Sequence, residues 1–325
     1  MATKFTSNGV VTLLSFPDSS TRTTTLNARY RDKAIFGYGY SAGATIHSLT
    51  NIVSNTGVPA TNTTGVGTAR YQLAAAGYGG DKAIFGYGYT TSLISLTNLV
   101  SNLGVVSTDV TGVGGARTAL AAAAYGGDKA IFGYGFTGAM RSNTNLVSNV
   151  GVVSEDVTGV GTARLALAAA GYGGDKAIFG YGNSGSLVSL TNLVSNVGVV
   201  STDVTGVGTA RMALAAAGYG GDKAIFAFGA QTTGGAWYLI SNLVSNVGVV
   251  ASDVATVPPV RDYLAAASFG GDKAIFGYGH SYNNIASLDI YYNSTHTVSN
   301  VGVIAEQYGI AGTSRSQLAA AGFGS

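Results

Sequence analysis

The stretch Arg164-Leu165-Ala166-Leu167-Ala168-Ala169-Ala170-Gly171-Tyr172-Gly173-Gly174-Asp175-Lys176-Ala177-Ile178-Phe179-Gly180-Tyr181-Gly182 opens a unit that recurs along the whole chain. Residues 165–170 are small and apolar, 171–175 form a turn-like Gly and Asp cluster, and 176–182 are rich in aromatic and β-branched residues. Two more short runs follow at 190–195 and 199–201, on either side of Asn196-Val197-Gly198. Four short runs bounded by Gly, Asn, Asp and Ser clusters read as four strands, A to D, joined by tight turns. Helix is disfavoured because Gly interrupts every run and no 3.6-residue stripe survives for a dozen residues. Leu-Ala-Ala-Ala would suit a helix in isolation, but it is short and flanked by Gly.

The repetition is close to exact in sequence. Asp-Lys-Ala-Ile-Phe begins at Asp32, Asp81, Asp128, Asp175, Asp222 and Asp272, at spacings of 49, 47, 47, 47 and 50 residues. An Asn-Leu-Val-Ser-Asn-x-Gly-Val-Val element, clearest after Thr97 and Ser241, follows each of them with minor variation. Arg70, Arg117, Arg164, Arg211, Arg261 and Arg315 each stand three residues ahead of Leu-Ala-Ala-Ala. A 47-residue period fits almost seven times into 325 residues, so one domain spanning 1–325 is expected.

Four antiparallel strands in 47 residues match a β-propeller blade, for which repeats of about 40 to 50 residues are usual. The run from Leu214-Ala215-Ala216-Ala217-Gly218-Tyr219-Gly220-Gly221-Asp222-Lys223-Ala224-Ile225-Phe226 to Gly229, with Thr-Ala-Arg closing the repeats, resembles the kelch family. Its departures are Gly-Tyr-Gly where kelch repeats carry a double Gly after strand B, and no Trp in strand D. The resemblance implies an all-β propeller of kelch-like blades and nothing about activity. Strand A occurs seven times if 26–30 and 318–323 are both counted, and string B six times. The C–D hairpin occurs seven times, because 4–11, with its Asn8-Gly9 turn signal, resembles 192–200. The expectation is therefore seven blades, six being the alternative. The N-terminal hairpin (1–20) and the C-terminal strand (316–325) would close the ring in one shared, three-stranded blade with 4–16 set against 318–323.

Composition excludes several functions. The net charge of +2 is no footprint for nucleic acid, and no run approaches the length of a membrane span. Absent Cys removes disulfides and thiolate chemistry, and three His (His47, His280, His296) leave little for a metal site, so no cofactor or metal is expected. Thirteen of the 17 basic residues and ten of the 15 acidic ones recur with the repeat, which points to packing between blades, Arg being suited to bidentate bonds across them. Gly77-Tyr78-Gly79-Gly80-Asp81-Lys82 is a recurring hairpin turn, lacking the Gly-Lys-Ser/Thr and helix of a phosphate loop. No nucleophile–base or paired-carboxylate constellation stands out, and a non-enzymatic protein is expected.

Variation marks the one individual surface. The B–C connections (40–48, 89–95, 136–143, 183–189, 230–238 and 280–297) differ while the turns of the opposite face repeat. Loops on a rigid scaffold commonly carry binding residues. The candidate ligand site on this irregular face is Trp237, Tyr238, His280, Tyr282, Asn284, Asp289, Tyr291, Tyr292 and His296, aromatics beside Asn and Asp that suit sugar stacking and hydroxyl hydrogen bonds. Residues 1–20 lack the basic-then-apolar pattern of a secretory signal. Synthesis in the cytoplasm and function outside it are reconciled in a virion protein, a phage tail or surface component attaching to a host. Its expected partners are other virion proteins or a host-surface glycan or protein, without membrane insertion. A soluble bacterial carbohydrate- or protein-binding propeller is the alternative, and a propeller hydrolase or sugar isomerase the weakest reading.

Overall fold

The computed structural model describes residues 14–15, 21–22, 32–231, 236–283, 288–307 and 312–324. They form an all-β chain of small antiparallel sheets. Six sheets carry the repeat among the described residues. Strands A, B and C of the second are Ala74–Tyr78, Lys82–Gly86 and Thr97–Val100. The fourth repeats them as Ala168–Tyr172, Lys176–Gly180 and Thr191–Val194. The Ala-rich run is a strand, as its Gly flanks suggest. Between A and B the chain turns through Gly79 and Gly80 at φ of 62° and 87°, values open to Gly at little cost.

The first sheet is assembled from both ends of the sequence. Ala319–Phe323 pairs with Lys33–Gly37, which pairs with Thr50–Val53. The C-terminal strand A therefore takes the first Asp-Lys-Ala-Ile-Phe string as partner, where the repeat count had set 318–323 against 4–16. The chemistry of the interface explains the pairing: Ala319, Ala321 and Phe323 fill the same places beside the B strand as Ala74, Ala76 and Tyr78 do in the next sheet. Residues 4–13 and 26–30 lie outside the described residues, and Leu14–Ser15 pairs with Thr21–Arg22 in a separate two-stranded sheet.

The core lies between sheets. Strand B is buried on both faces because it is covered on both sides. Ile35 and Phe323 of the first sheet meet Ala83, Phe85 and Val100 of the second, and the same cluster recurs at each successive boundary. It recurs also between the sixth sheet, through Phe269 and Ile275, and the first, through Phe36 and Val53. Backbone bonds run in the same order. The amides of Gln72, Ala119, Ala166, Ala213, Tyr263 and Gln317 donate in turn to the carbonyls of Gln317, Gln72, Ala119, Ala166, Ala213 and Tyr263, so the six bonds make a circuit.

Gly at the end of strand B makes room for this contact. A Cβ on Gly180 would lie 2.7 Å from Cζ of Phe226 in the next sheet. Ala227 occupies the equivalent place in the fifth sheet, and there the ring centroids of Phe228 and Phe276 stand 5.8 Å apart, against 5.1 Å for Tyr181 and Phe226. Gly180→Ala is expected to cost about 1–3 kcal/mol through overpacking, measured by urea denaturation. An unchanged midpoint would mean that Phe226 yields without cost.

Strand D departs from a plain ladder. In the second sheet it meets strand C only at Val100↔Val106 and Thr97↔Val110, with one residue more on the D side. Asn98 Nδ2 fills the gap, donating to the Ser107 carbonyl (3.0 Å) and to Asp109 Oδ1 (2.9 Å). In the sixth sheet His296 replaces that Asn, and strand D, Ile304–Gln307, pairs residue for residue with Thr295–Val298. The bulge thus goes with an Asn amide that bonds a carbonyl and a side-chain oxygen together, the latter being Asn62 Oδ1 in the first sheet.

Candidate functional site

The repeated charges face inward or pair with each other. All six repeat Arg side chains from Arg70 to Arg315 are fully buried. Five of them lie over the Tyr that follows strand B in the preceding sheet, as Arg70 over Tyr38 at 4.3 Å and Arg211 over Tyr181 at 4.3 Å. The fifth sheet offers Phe228 instead, and Arg261 lies over Tyr292 at 4.8 Å. The Lys of each Asp-Lys string from Lys82 to Lys273 reaches its own Asp at 2.9–3.3 Å.

The individual surface is organised by one bridge per sheet. The residue after each repeat Arg pairs with the first residue of the same sheet's B–C connection. The pairs are Ser316↔Tyr40, Tyr71↔Tyr89, Thr118↔Phe136, Leu165↔Asn183, Met212↔Ala230 and Asp262↔His280. Three consecutive bridges, those of the sixth, first and second sheets, carry Tyr residues or a His–Asp pair; of the other three, the third sheet's carries Phe136 and the remaining two carry neither an aromatic nor an ionisable residue.

Those three bridges form a continuous stripe. Tyr89 meets Tyr71 with ring centroids 5.5 Å apart, and Tyr71 meets Tyr40 at 5.5 Å. Tyr40 meets Tyr291 at 6.3 Å, and Tyr291 meets His280 at 5.3 Å. All five side chains are half-buried. Burial raises the phenol pKa of Tyr71 and Tyr291, reinforced by neighbouring Tyr hydroxyls and, for Tyr291, by Asp289. The phenols stay neutral donors at pH 7.

His280 ends the stripe between two carboxylates. Its Nδ1 lies 3.1 Å from Asp262 Oδ1 and its Nε2 2.9 Å from Asp289 Oδ1. Asp262 is buried and Asp289 is 55% exposed, so the outer carboxylate retains free acceptor sites. Burial alone would lower the imidazole pKa, but the hydrogen bonds and charges of the two Asp outweigh it and raise it. When protonated, the imidazole donates from both nitrogens and has no lone pair left to take a proton. The rings are tilted 44–65° to one another, so the stripe offers aromatic surface of varied orientation beside a charged hydrogen-bonding end.

The structure gathers some of the residues expected from sequence and separates others. His280, Asp289 and Tyr291 stand together, and Tyr282 is opposite Asp289 in the hairpin His280–Asn283 with Leu288–Tyr291. Tyr292 turns away, its ring under Arg261 and its hydroxyl 2.9 Å from Ser281 Oγ. His296 is wholly buried, Nε2 donating to the Pro258 carbonyl at 3.0 Å. Trp237 bridges to Ala230 in the fifth sheet, and Tyr238 lies near Arg211, with no ring contact from either to the stripe among the described residues. Asn284 lies outside the described residues. Tyr40, Tyr71, Tyr89 and Asp262 join the site unannounced. Tyr71 and Asp262 were marked in the sequence by one signal, the changing residue directly after an otherwise fixed Arg.

Among the described residues no cluster of three or more His, Asp or Glu is arranged to hold a metal ion. No protein-family model and no curated protein matches the chain, which leaves the stripe and its His–Asp end as the features bearing on function.

Proposed function

We propose that the chain is a β-propeller of six kelch-like blades that serves as a non-enzymatic attachment module and binds glycan along the aromatic stripe. Six blades are favoured over seven because the C-terminal strand A completes the first sheet, and because the sixth sheet shares a core cluster with the first. The run of Tyr rings from Tyr89 to Tyr291 carries the binding reading. Half-buried aromatic faces at 5.5–6.3 Å spacing suit the apolar faces of successive sugar rings. Asp289 suits their hydroxyls as an acceptor. Non-enzymatic action is supported by His280, whose two nitrogens are both engaged. We place the module on a virus particle, a phage tail or surface component that recognises a host. The support is a cysteine-free chain of near-identical repeats with a net charge of only +2, a rigid platform for displayed loops.

A glycan array followed by titration tests the binding reading. Tyr71→Ala and Tyr291→Ala should each weaken binding about tenfold, the loss of one stacking partner. Trp237→Ala should leave it unchanged. An array without binding, or affinity that survives both Tyr substitutions, would sink the glycan reading. Purified virions lacking the chain would sink the placement on a particle.

A further inference from the structure

The face opposite the stripe has a feature that neither the fold nor glycan binding needs. Each C–D turn of the third, fourth and fifth sheets displays two valines to solvent: Val150 and Val152, Val197 and Val199, Val247 and Val249, all 64–71% exposed. Two further turns show the same apolar pair, and the first sheet shows one, Val58, at 62%. These turns lie beside the A–B turns. A Cβ on Gly79 would fall 3.1 Å from the Asn149 carbonyl, and one on Gly151 would fall 3.0 Å from the Tyr78 ring. One face therefore combines eleven exposed Val and Leu side chains with the Asp-Lys pairs.

We infer that this face binds a second copy of the chain, back to back. The area is sufficient. A fully buried valine removes about 60–120 Å² of apolar surface from water. Eleven side chains two-thirds exposed then offer about 450–900 Å², comparable to the roughly 800 Å² per partner of an ordinary stable interface. Summed over the six turns, the upper range of this area passes the roughly 300–600 Å² of the largest apolar patch on a typical monomer. The charges are self-complementary: every A–B turn brings one Asp and one Lys, paired at 2.9–3.3 Å in five of the turns. A twofold contact can set the Lys of one copy against the Asp of the other with no net repulsion. A lipid surface would favour Trp, Phe and excess Lys, and the turns have none of these. Because the turns barely differ from sheet to sheet, a partner must meet the same feature repeatedly, and a second copy does so by construction. The dimer leaves both B–C faces outward, two sites pointing in opposite directions.

Sedimentation velocity and light scattering at micromolar concentration test this independently of any glycan. The wild-type chain should have twice the 32.6 kDa chain mass. The triple variant Val150→Asp, Val197→Asp, Val247→Asp should have the single mass with an unchanged circular dichroism spectrum. The milder Val150→Thr, Val197→Thr, Val247→Thr set keeps β-branching in the turns and should raise the dimer dissociation constant by about tenfold or more. Tyr71→Ala should remain dimeric, so failure of the glycan reading leaves this one standing. A wild-type monomer, a dimer indifferent to both triple variants, or co-sedimentation with phosphatidylserine vesicles that the Asp variant abolishes would each overturn it.

Discussion

Arg164→Met is expected to lower the unfolding free energy by about 3–5 kcal/mol, the usual penalty for removing one partner of a buried charged network. The side chain is fully buried. Its Nε donates to the Tyr181 carbonyl at 2.9 Å, Nη1 to the Thr162 carbonyl at 3.0 Å and Nη2 to Asn192 Oδ1 at 2.6 Å. The guanidinium lies 4.4 Å from the ring centre of Tyr134 in the preceding sheet and 3.9 Å from Asp203. Met fills the volume and leaves three acceptors without a donor, each costing about 1–3 kcal/mol if it stays dry. Arg164→Lys should rescue little, since an ammonium cannot serve three acceptors arranged for a planar fork. Lys176→Met, at an exposed pair with Asp175, should leave the urea midpoint where it was. If Arg164→Met stayed within 1 kcal/mol of the wild type, the repeat Arg would not be what joins the sheets.

The inward role of Arg164 was legible in the sequence, for a physical reason. A charge that returns at every repeat meets the same environment every time, and in stacked units that environment is the neighbour. The small A strand and the Gly-marked turns were legible too, because they are local. Non-local features were not. The bulge in strand D goes with Asn98 reaching across to Ser107 and Asp109, and alternation says nothing of a side chain standing in for a ladder bond. The choice of 33–37 by the C-terminal strand is a contest between distant segments, and counting strings could not decide it. In the candidate site, Trp237 drew attention as the one Trp in the chain, yet size did not place it on the stripe. Tyr71 lies 18 residues from its bridge partner Tyr89, and only the backbone pairing brings them together. His296 read as a loop residue because the B–C connection there is the longest. It is the core Asn position of the repeat, occupied by a different side chain.

That exchange makes His296 a local source of acid sensitivity. Burial, then the nearby Arg261 charge, push its pKa down to about 4, with the Pro258 hydrogen bond and Glu306 opposing. In the unfolded chain the imidazole titrates near 6.5, so between about pH 4 and 6.5 the unfolded state binds more protons than the folded one. The stabilising effect of neutral His296 is thus complete above about pH 6.5 and is lost as the pH falls toward 4. At pH 5 the loss amounts to about 2 kcal/mol. His280, whose pKa is raised, acts in the opposite sense: its contribution is complete below its unfolded value and fades as the pH rises through the folded one. The bulge carboxylates Asp109, Asp156, Asp203 and Asp253 are held below the usual range, because hydrogen bonds from neighbouring side chains and backbone outweigh the effect of burial. Their stabilisation is lost only at lower pH. His296→Gln keeps an amide able to donate to the Pro258 carbonyl and removes the titration. Urea denaturation at pH 7 and pH 5 should therefore find wild type losing about 2 kcal/mol more than His296→Gln on acidification. Equal losses would mean that the imidazole is hydrated and its burial ineffective. A larger loss in the variant would reverse the sign and place the acid sensitivity elsewhere in the sixth sheet.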